Sequence, residues 1–166
     1  LGSQNMLLRS EEFDNASWLK TDTTITANAT VSPDGLTTAD LLTEGSAGTA
    51  TADTTFTASA SGVAHTASVY MKAGTSTGWV RLSVYETANA TNIVNLWVNM
   101  ATGALGSTSV GGTGVSGGGT TTTLLNGWYR ISLSFTIAAT SLTMMTRSAT
   151  ADSSTTRVSG ADRYQW

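Results

Sequence analysis

The sequence contains no cysteine, one histidine and few charged side chains, and these absences exclude several functional classes. Without cysteine, the chain has no disulfide, thiolate zinc site or cysteine nucleophile. The one histidine, His65, is in phase with apolar positions at the start of a strand and is expected to be structural. Charged residues make up 11% of the chain and the net charge is −3, whereas a nucleic-acid binder usually presents a basic surface. No apolar run has the length of a transmembrane helix, so neither nucleic acid nor a membrane is an expected partner.

Strand formers and turn formers dominate the remaining composition. Threonine is the commonest residue, and serine and glycine are abundant. Threonine favours strands, whereas glycine and serine favour turns. The one proline, Pro33, lies in the segment SPDG, which is typical of a β-turn. No segment of helical length shows a sustained 3.6-residue apolar period. The sequence therefore predicts an all-β fold, in a chain whose 166 residues suit one domain.

Short strands separated by turn segments recur along the chain. The expected strands are 5–10, 23–31, 37–44, 49–58, 65–72, 79–86, 93–100, 120–125, 128–137, 141–147 and 162–166. The segments that join 65–72, 79–86 and 93–100 have the length of hairpin loops. The glycine-dense segment 111–119 is expected to be a flexible loop. This number and spacing of strands predicts a two-sheet antiparallel β-sandwich rather than a propeller or a solenoid.

Four of these strands combine a regular apolar row with an unusual second row. In 79–86, Val80, Leu82 and Val84 form the apolar row, because successive side chains point to opposite faces of a strand. The strands 65–72, 93–100 and 128–137 repeat the pattern. Their second rows contain aromatic, amide and cationic side chains, namely Tyr70, Lys72, Trp79, Arg81, Tyr85, Asn95, Trp97, Asn99, Trp128 and Arg130.

If the four strands lie in one sheet, these side chains cover its outer face. A cluster of exposed rings is unusual, because burial of each ring would contribute roughly 2–3 kcal/mol, and such clusters mark binding surfaces. Rings can stack on the apolar face of a sugar while amides and cations bond its hydroxyls. We therefore predict a carbohydrate-binding surface with Trp79 and Trp97 as its main rings. The alternative is that a loop or another subunit covers the face, which would make it the core of an interface, as in a structural virion domain. Trp128, Arg81 and Arg130 also have structural interpretations.

Catalytic and metal-binding residues are poorly represented. A glycosidase needs two carboxylates facing a sugar cleft, and no acidic residue is in phase with the aromatic rows. The GxSxG motif of a nucleophile elbow is also missing, so we expect no enzymatic activity and rank a degenerate hydrolase last. No cofactor is required. A structural Ca²⁺ is a further hypothesis, with solvated surface acids as the alternative. Its candidate ligands are Glu11, Glu12 and Asp14, joined by Asp162 if the end strands pair.

Stretches along almost the whole chain resemble a jelly-roll module of bacteriophage tail and other virion proteins. They are NMLLRSEEFDNASWLKT, SPDGLTTADLLTE, ASVYMKAG, NGWYRISLS and RYQW. That module is similar to carbohydrate-binding modules of the family 4/9/22 kind. The resemblance implies a jelly roll whose concave sheet binds a polysaccharide or cell-surface glycan, in a larger parent polypeptide of virion or extracellular location. It assigns Trp18 in NASW and Trp128 in NGWYR to the scaffold, and it adds support for a calcium site near the N-terminus.

The domain organisation that follows is simple. We interpret residues 1–3 as an expression-vector remnant and residues 4–166 as a single carbohydrate-binding β-sandwich domain.

Overall fold

A computed structural model describes residues 4–46, 48–75 and 78–166 of the chain; the vector remnant proposed at residues 1–3 lies outside them. Twelve strands form two antiparallel sheets. They are β1 (Leu19–Thr21), β2 (Thr23–Thr30), β3 (Ala39–Glu44), β4 (Thr51–Thr57), β5 (His65–Ala73), β6 (Trp79–Glu86), β7 (Asn89–Asn99), β8 (Leu105–Gly111), β9 (Val115–Thr123), β10 (Trp128–Thr136), β11 (Ser141–Ala149) and β12 (Asp162–Gln165). Sheet A has the order β1-β4-β11-β6-β7-β8, and sheet B has the order β2-β3-β12-β5-β10-β9. The all-β sandwich expected from the sequence is confirmed.

The core lies between the two sheets and is built from the apolar rows. Val80, Leu82 and Val84 of β6 are buried in it, as are the corresponding rows of β5, β7 and β10. Phe13 and Trp18 close one part of the core, with their ring centroids 4.5 Å apart. The two-residue periodicity therefore predicts the inward side of these strands correctly. Among the described residues, no helix is long and apolar enough to cross a membrane.

Two segments differ from the sequence-based expectation. Residues 5–10 are not a strand: 5–7 have no regular secondary structure and 8–10 form a turn. The Asn5 side chain accepts a hydrogen bond from the backbone N–H of Leu7, a local bond that competes with strand pairing. The glycine-dense segment 111–119 is not a loop throughout: β8 ends at Gly111 in sheet A and β9 begins at Val115 in sheet B, so the segment contains the connection between the sheets and the first half of β9. Gly119 lies in β9 where an added Cβ would be 2.6 Å from the Leu96 side chain, so the glycine permits close packing over the core.

The sheet assignment also differs from the expectation. The strands β6 and β7 pair as a hairpin in sheet A, but β5 and β10 pair with each other in sheet B. The segment between β5 and β6 has the length of a hairpin loop, yet it connects the two sheets. The condition that all four strands lie in one sheet is therefore not met, and the predicted residues are divided between the two outer faces.

A polar cluster is buried between the sheets beside the apolar core. The Arg163 guanidinium lies 2.5 Å from a Glu44 carboxylate oxygen, and Ser148 donates to Glu44 from both its backbone N–H and its hydroxyl at 2.6 Å. Arg163 Nε also donates to the Gln165 side-chain oxygen at 2.7 Å. Glu44 thus has its charge balanced and its oxygens occupied inside the fold.

Candidate functional site

Two outer surfaces carry the predicted binding residues. We define face A as the outer surface of sheet A and face B as the outer surface of sheet B. Face A contains Trp79, Arg81, Tyr85, Asn95, Trp97 and Asn99. Face B contains Tyr70, Lys72, Trp128 and Arg130. Since the two sheets pack through their inner sides, these two groups cannot contact one ligand segment together.

Trp97, expected to be an open stacking ring, is covered. The segment 150–161, which follows β11, passes over the end of face A, and Trp97 Nε1 donates to the Ser154 carbonyl at 2.8 Å. The ring is 2% exposed, so a sugar has no access to it in this conformation. Its other neighbour is Arg81, whose guanidinium carbon lies 5.7 Å from the ring centroid. Trp97 therefore anchors the covering segment and supports Arg81.

Trp79 retains partial exposure on face A, as expected from the sequence. Its ring lies against Gly106 of β8, where an added Cβ would be 2.6 Å from the ring. Asp152 of the covering segment reaches the same glycine and accepts hydrogen bonds from Ser107 N–H and Oγ, both at 2.8 Å. Within the described residues, the indole N–H of Trp79 has no protein acceptor. The donor is therefore unused by the fold, and part of the ring remains exposed.

Hydrogen-bonded side chains form the middle of face A. Ser83 donates to the Asn95 carbonyl oxygen at 2.7 Å, and Asn95 Nδ2 donates to Ser109 at 3.0 Å. This chain of bonds runs across β6, β7 and β8, and it holds the groups in fixed orientations. The predicted Asn95 is itself buried, so Asn99, which is partly exposed, is the more accessible amide.

Tyr85 lies at the other end of face A and is partly exposed. Burial raises the pKa of its phenol, and the nearby Asp53 carboxylate raises it further. The hydroxyl therefore stays protonated and can both donate and accept a hydrogen bond. Trp79 and Tyr85 are six residues apart on one strand, which is about 20 Å at the rise of an extended chain.

Sequence reasoning missed Arg147 of β11, which lies directly opposite Arg81 in the strand ladder. The alternation of side chains in SLTMMTR places Arg147 on the same face as the predicted binding residues of β6. This strand was not considered because it has no aromatic residue. Burial and the neighbouring Arg157 charge lower the pKa of Arg147 to about 10. Within the described residues, no carboxylate forms an ion pair with Arg81, Arg147 or Arg157.

Face B has a different character from the expected one. Trp128 is 1% exposed, and its Nε1 donates to the Val31 carbonyl at 3.1 Å, so its indole supports the fold and offers no surface to a ligand. Tyr70, Lys72 and Arg130 remain accessible to different degrees. They stack with one another and with two residues that the sequence analysis did not select. Lys72 lies over the Tyr164 ring, Arg130 over the Tyr70 ring, and Tyr70 packs against Trp166.

A cavity of about 400 Å³ opens near the edge of face B. Its walls are the N-terminal residues 4–11, the β5 strand and the core rings Phe13, Trp18 and Phe135. Tyr70 and Arg130 border it. Its lining combines apolar core residues with polar side chains, among them Asn5, Glu11 and Ser68.

The candidate metal ligands do not assemble into a site. Within residues 4–46, 48–75 and 78–166, no group of three histidine, aspartate or glutamate side chains is placed to hold a metal ion. Glu12 instead pairs with Arg9 at 3.1 Å, and Asp162 accepts from Thr75 at 2.8 Å. His65 stacks on Phe135 with a centroid separation of 5.8 Å and lies 3.2 Å from Ser59 Oγ, which is a structural environment.

Comparison with known proteins identifies a similar fold. No protein-family profile matches the sequence, and no curated protein matches it. Among solved structures, the chain is similar to the N-terminal CBM22-1–GH10 modules of endo-1,4-β-D-xylanase 10B from Clostridium thermocellum, a structure solved with xylohexaose. The TM-score is 0.51 and the identity 19%; the match covers 90% of this chain and 25% of that chain, in its CBM22 part. This similarity supports a jelly-roll fold of the carbohydrate-binding-module type.

Proposed function

We propose that the protein is a non-catalytic carbohydrate-binding module that binds a polysaccharide along face A. The observation that carries this proposal is the arrangement along β6. Trp79 and Tyr85 place two partly exposed rings about 20 Å apart on one strand. Hydrogen-bonded polar side chains lie between them. A strip of this length fits several sugar units in a row, and its rigid sheet loses little entropy on binding.

The roles within the strip follow from accessibility. Trp79 stacks on a sugar ring and offers its unused N–H, and Tyr85 provides a second ring with a hydroxyl. Asn99 supplies an amide beside Trp79, since these two residues are paired across β6 and β7. Trp97 contributes indirectly, because it holds Arg81 and the covering segment in place.

The similarity to a CBM22 module whose structure was solved with xylohexaose supports this proposal at the level of fold. A protein–protein interface within a virion remains the second hypothesis; it comes from the sequence resemblance, as does the proposed virion or extracellular location.

The test is a comparison of matched ring substitutions on the two faces. Trp79→Ala and Tyr85→Ala should each reduce binding to soluble polysaccharides at least tenfold, whereas Tyr164→Ala on face B should leave it unchanged. Affinity electrophoresis through a panel of neutral and charged polysaccharides measures this, with thermal unfolding as the folding control. The proposal would be contradicted if substitutions on both faces reduced polysaccharide binding equally. It would also be contradicted if the protein formed a stable oligomer that Trp79→Ala dissociates.

A further inference from the structure

The arginines of face A are the least satisfied charged groups in the described part of the chain. Arg81 is 4% exposed, and its Nε is buried without any hydrogen-bond partner. Arg157, in the covering segment, has both Nε and Nη1 buried without partners. Arg147 is half-buried beside them, and its guanidinium forms no ion pair within residues 4–46, 48–75 and 78–166. Buried polar groups are ordinarily paired, so this set requires an explanation.

The surrounding carboxylates do not neutralise this set. Glu44 attracts both Arg147 and Arg157, but its oxygens are already occupied by Arg163 and Ser148, and Asp22 attracts Arg157. Asp53 lies on the same face, opposite Met145. Burial raises the pKa of the Asp53 carboxyl, whereas a contacting guanidinium would lower it. Asp152 is occupied by Ser107, at the other edge of the face.

The positions of Arg81 and Arg147 suit a shared anion. Residues directly opposite in an antiparallel pair have Cβ atoms about 5 Å apart, so two like charges there repel each other unless an anion lies between them. Guanidinium groups bind carboxylate and sulfate oxygens through paired, charge-assisted hydrogen bonds. The Trp97 ring contacts the Arg81 guanidinium from the β7 side of this position.

We propose that face A binds an anionic polysaccharide, whose carboxylate or sulfate groups contact the half-buried Arg147 guanidinium next to the buried charge of Arg81. This inference rests on the proposed function and adds the chemical class of its ligand. The net charge of −3 makes the protein as a whole repel such a polymer. Binding therefore requires the local arginine row and cannot result from general electrostatic attraction.

The experiment compares charged polysaccharides with neutral forms of the same backbone. Polygalacturonate and its fully methyl-esterified form differ in the carboxylate alone, and dextran sulfate and dextran differ in the sulfate alone. We expect at least one charged polymer to bind about tenfold more tightly than its neutral counterpart. The preferred pair identifies the anion. This preference should weaken as salt is raised from 0.1 to 1 M, where the Debye length falls from about 10 to about 3 Å.

Substitutions locate the effect. Arg147→Gln should abolish the preference for the charged polymer, and Arg130→Gln, which removes one positive charge from face B, should retain it. If the neutral polymers bind as well as the charged ones, or if Arg147→Gln keeps the preference, the anionic proposal is overturned while the proposed function stands. If no polymer binds, with or without charge, both fail.

Discussion

Arg147 lies directly opposite Arg81 across the β11–β6 ladder, so two guanidinium groups share one row of face A. A sheet gains nothing in stability from such a pair, because like charges directly opposite each other repel. A side-chain arrangement that opposes stability is typical of a binding surface, where the ligand supplies the missing partner.

Removal of one of these charges should therefore not destabilise the protein. The pKa of Arg147 is lower in the folded chain than in the unfolded chain, so the folded state binds its proton less tightly and the charge opposes folding at neutral pH. We expect Arg147→Gln to leave the melting temperature unchanged or to raise it by a few degrees. Differential scanning calorimetry checks this, and a loss above about 1 kcal/mol would show that Arg147 makes a stabilising contact.

The buried pair of Arg163 and Glu44 should behave in the opposite way. Arg163→Met leaves the Glu44 carboxylate buried without its cation, and we expect a loss of about 3–5 kcal/mol in the free energy of unfolding. The double variant Glu44→Gln/Arg163→Met should recover part of that loss, because it removes the unpaired charge. Urea denaturation measures both. A double variant no more stable than Arg163→Met would show that the ion pair is not the source of the effect.

Trp97 should control the covering segment rather than contact the ligand. Trp97→Phe keeps a ring beneath Arg81 but removes the hydrogen bond to the Ser154 carbonyl, which contributes about 1 kcal/mol. We expect faster amide hydrogen exchange in residues 150–161, with exchange in β5 and β10 unchanged. Unaltered exchange in 150–161 would mean that other contacts hold this segment.

Gly106 should be required for the position of Trp79. An added Cβ there would be 2.6 Å from the Trp79 ring, so Gly106→Val must displace the ring or Asp152. We expect weaker polysaccharide binding and a shifted Trp79 indole resonance. Gly48→Val is the matched control, since an added Cβ at Gly48 has no neighbour within 4 Å. Equal binding by both variants would show that the ring position does not matter.

Features that depend on residues close together in the chain were predicted correctly, and features that depend on distant residues were not. The alternation of apolar and polar residues is a local property, and it predicted the core sides of β5, β6, β7 and β10. Sheet membership is not local: a hairpin-length segment joins β5 to β6, yet these strands belong to different sheets. The exposure of Trp97 was also beyond local reasoning, because its cover comes from Ser154, 57 residues further along the chain.

The glycine-dense segment 111–119 was also mispredicted because only its local composition was considered. Composition alone predicts a flexible loop for 111–119, whereas residues 115–119 belong to strand β9 of sheet B, in which Gly119 allows the Leu96 side chain to pack. The same alternation applied to 141–147 identifies Arg147. Leu142 and Met144 face the core, and the alternate residues Met145 and Arg147 therefore face outward.

The most direct test of the account is to map a bound polysaccharide by NMR through the indole N–H signals of the five tryptophans. The indole N–H groups of Trp18, Trp97 and Trp128 donate hydrogen bonds to backbone carbonyls. The indole N–H of Trp79, on face A, has no hydrogen-bond acceptor among the described residues. We expect titration with the tightest-binding polymer to shift the Trp79 signal most, together with backbone amides of β6 and β7. Largest shifts at Trp166 and in β5 and β12, with Trp79 unmoved, would place the ligand on face B and contradict it.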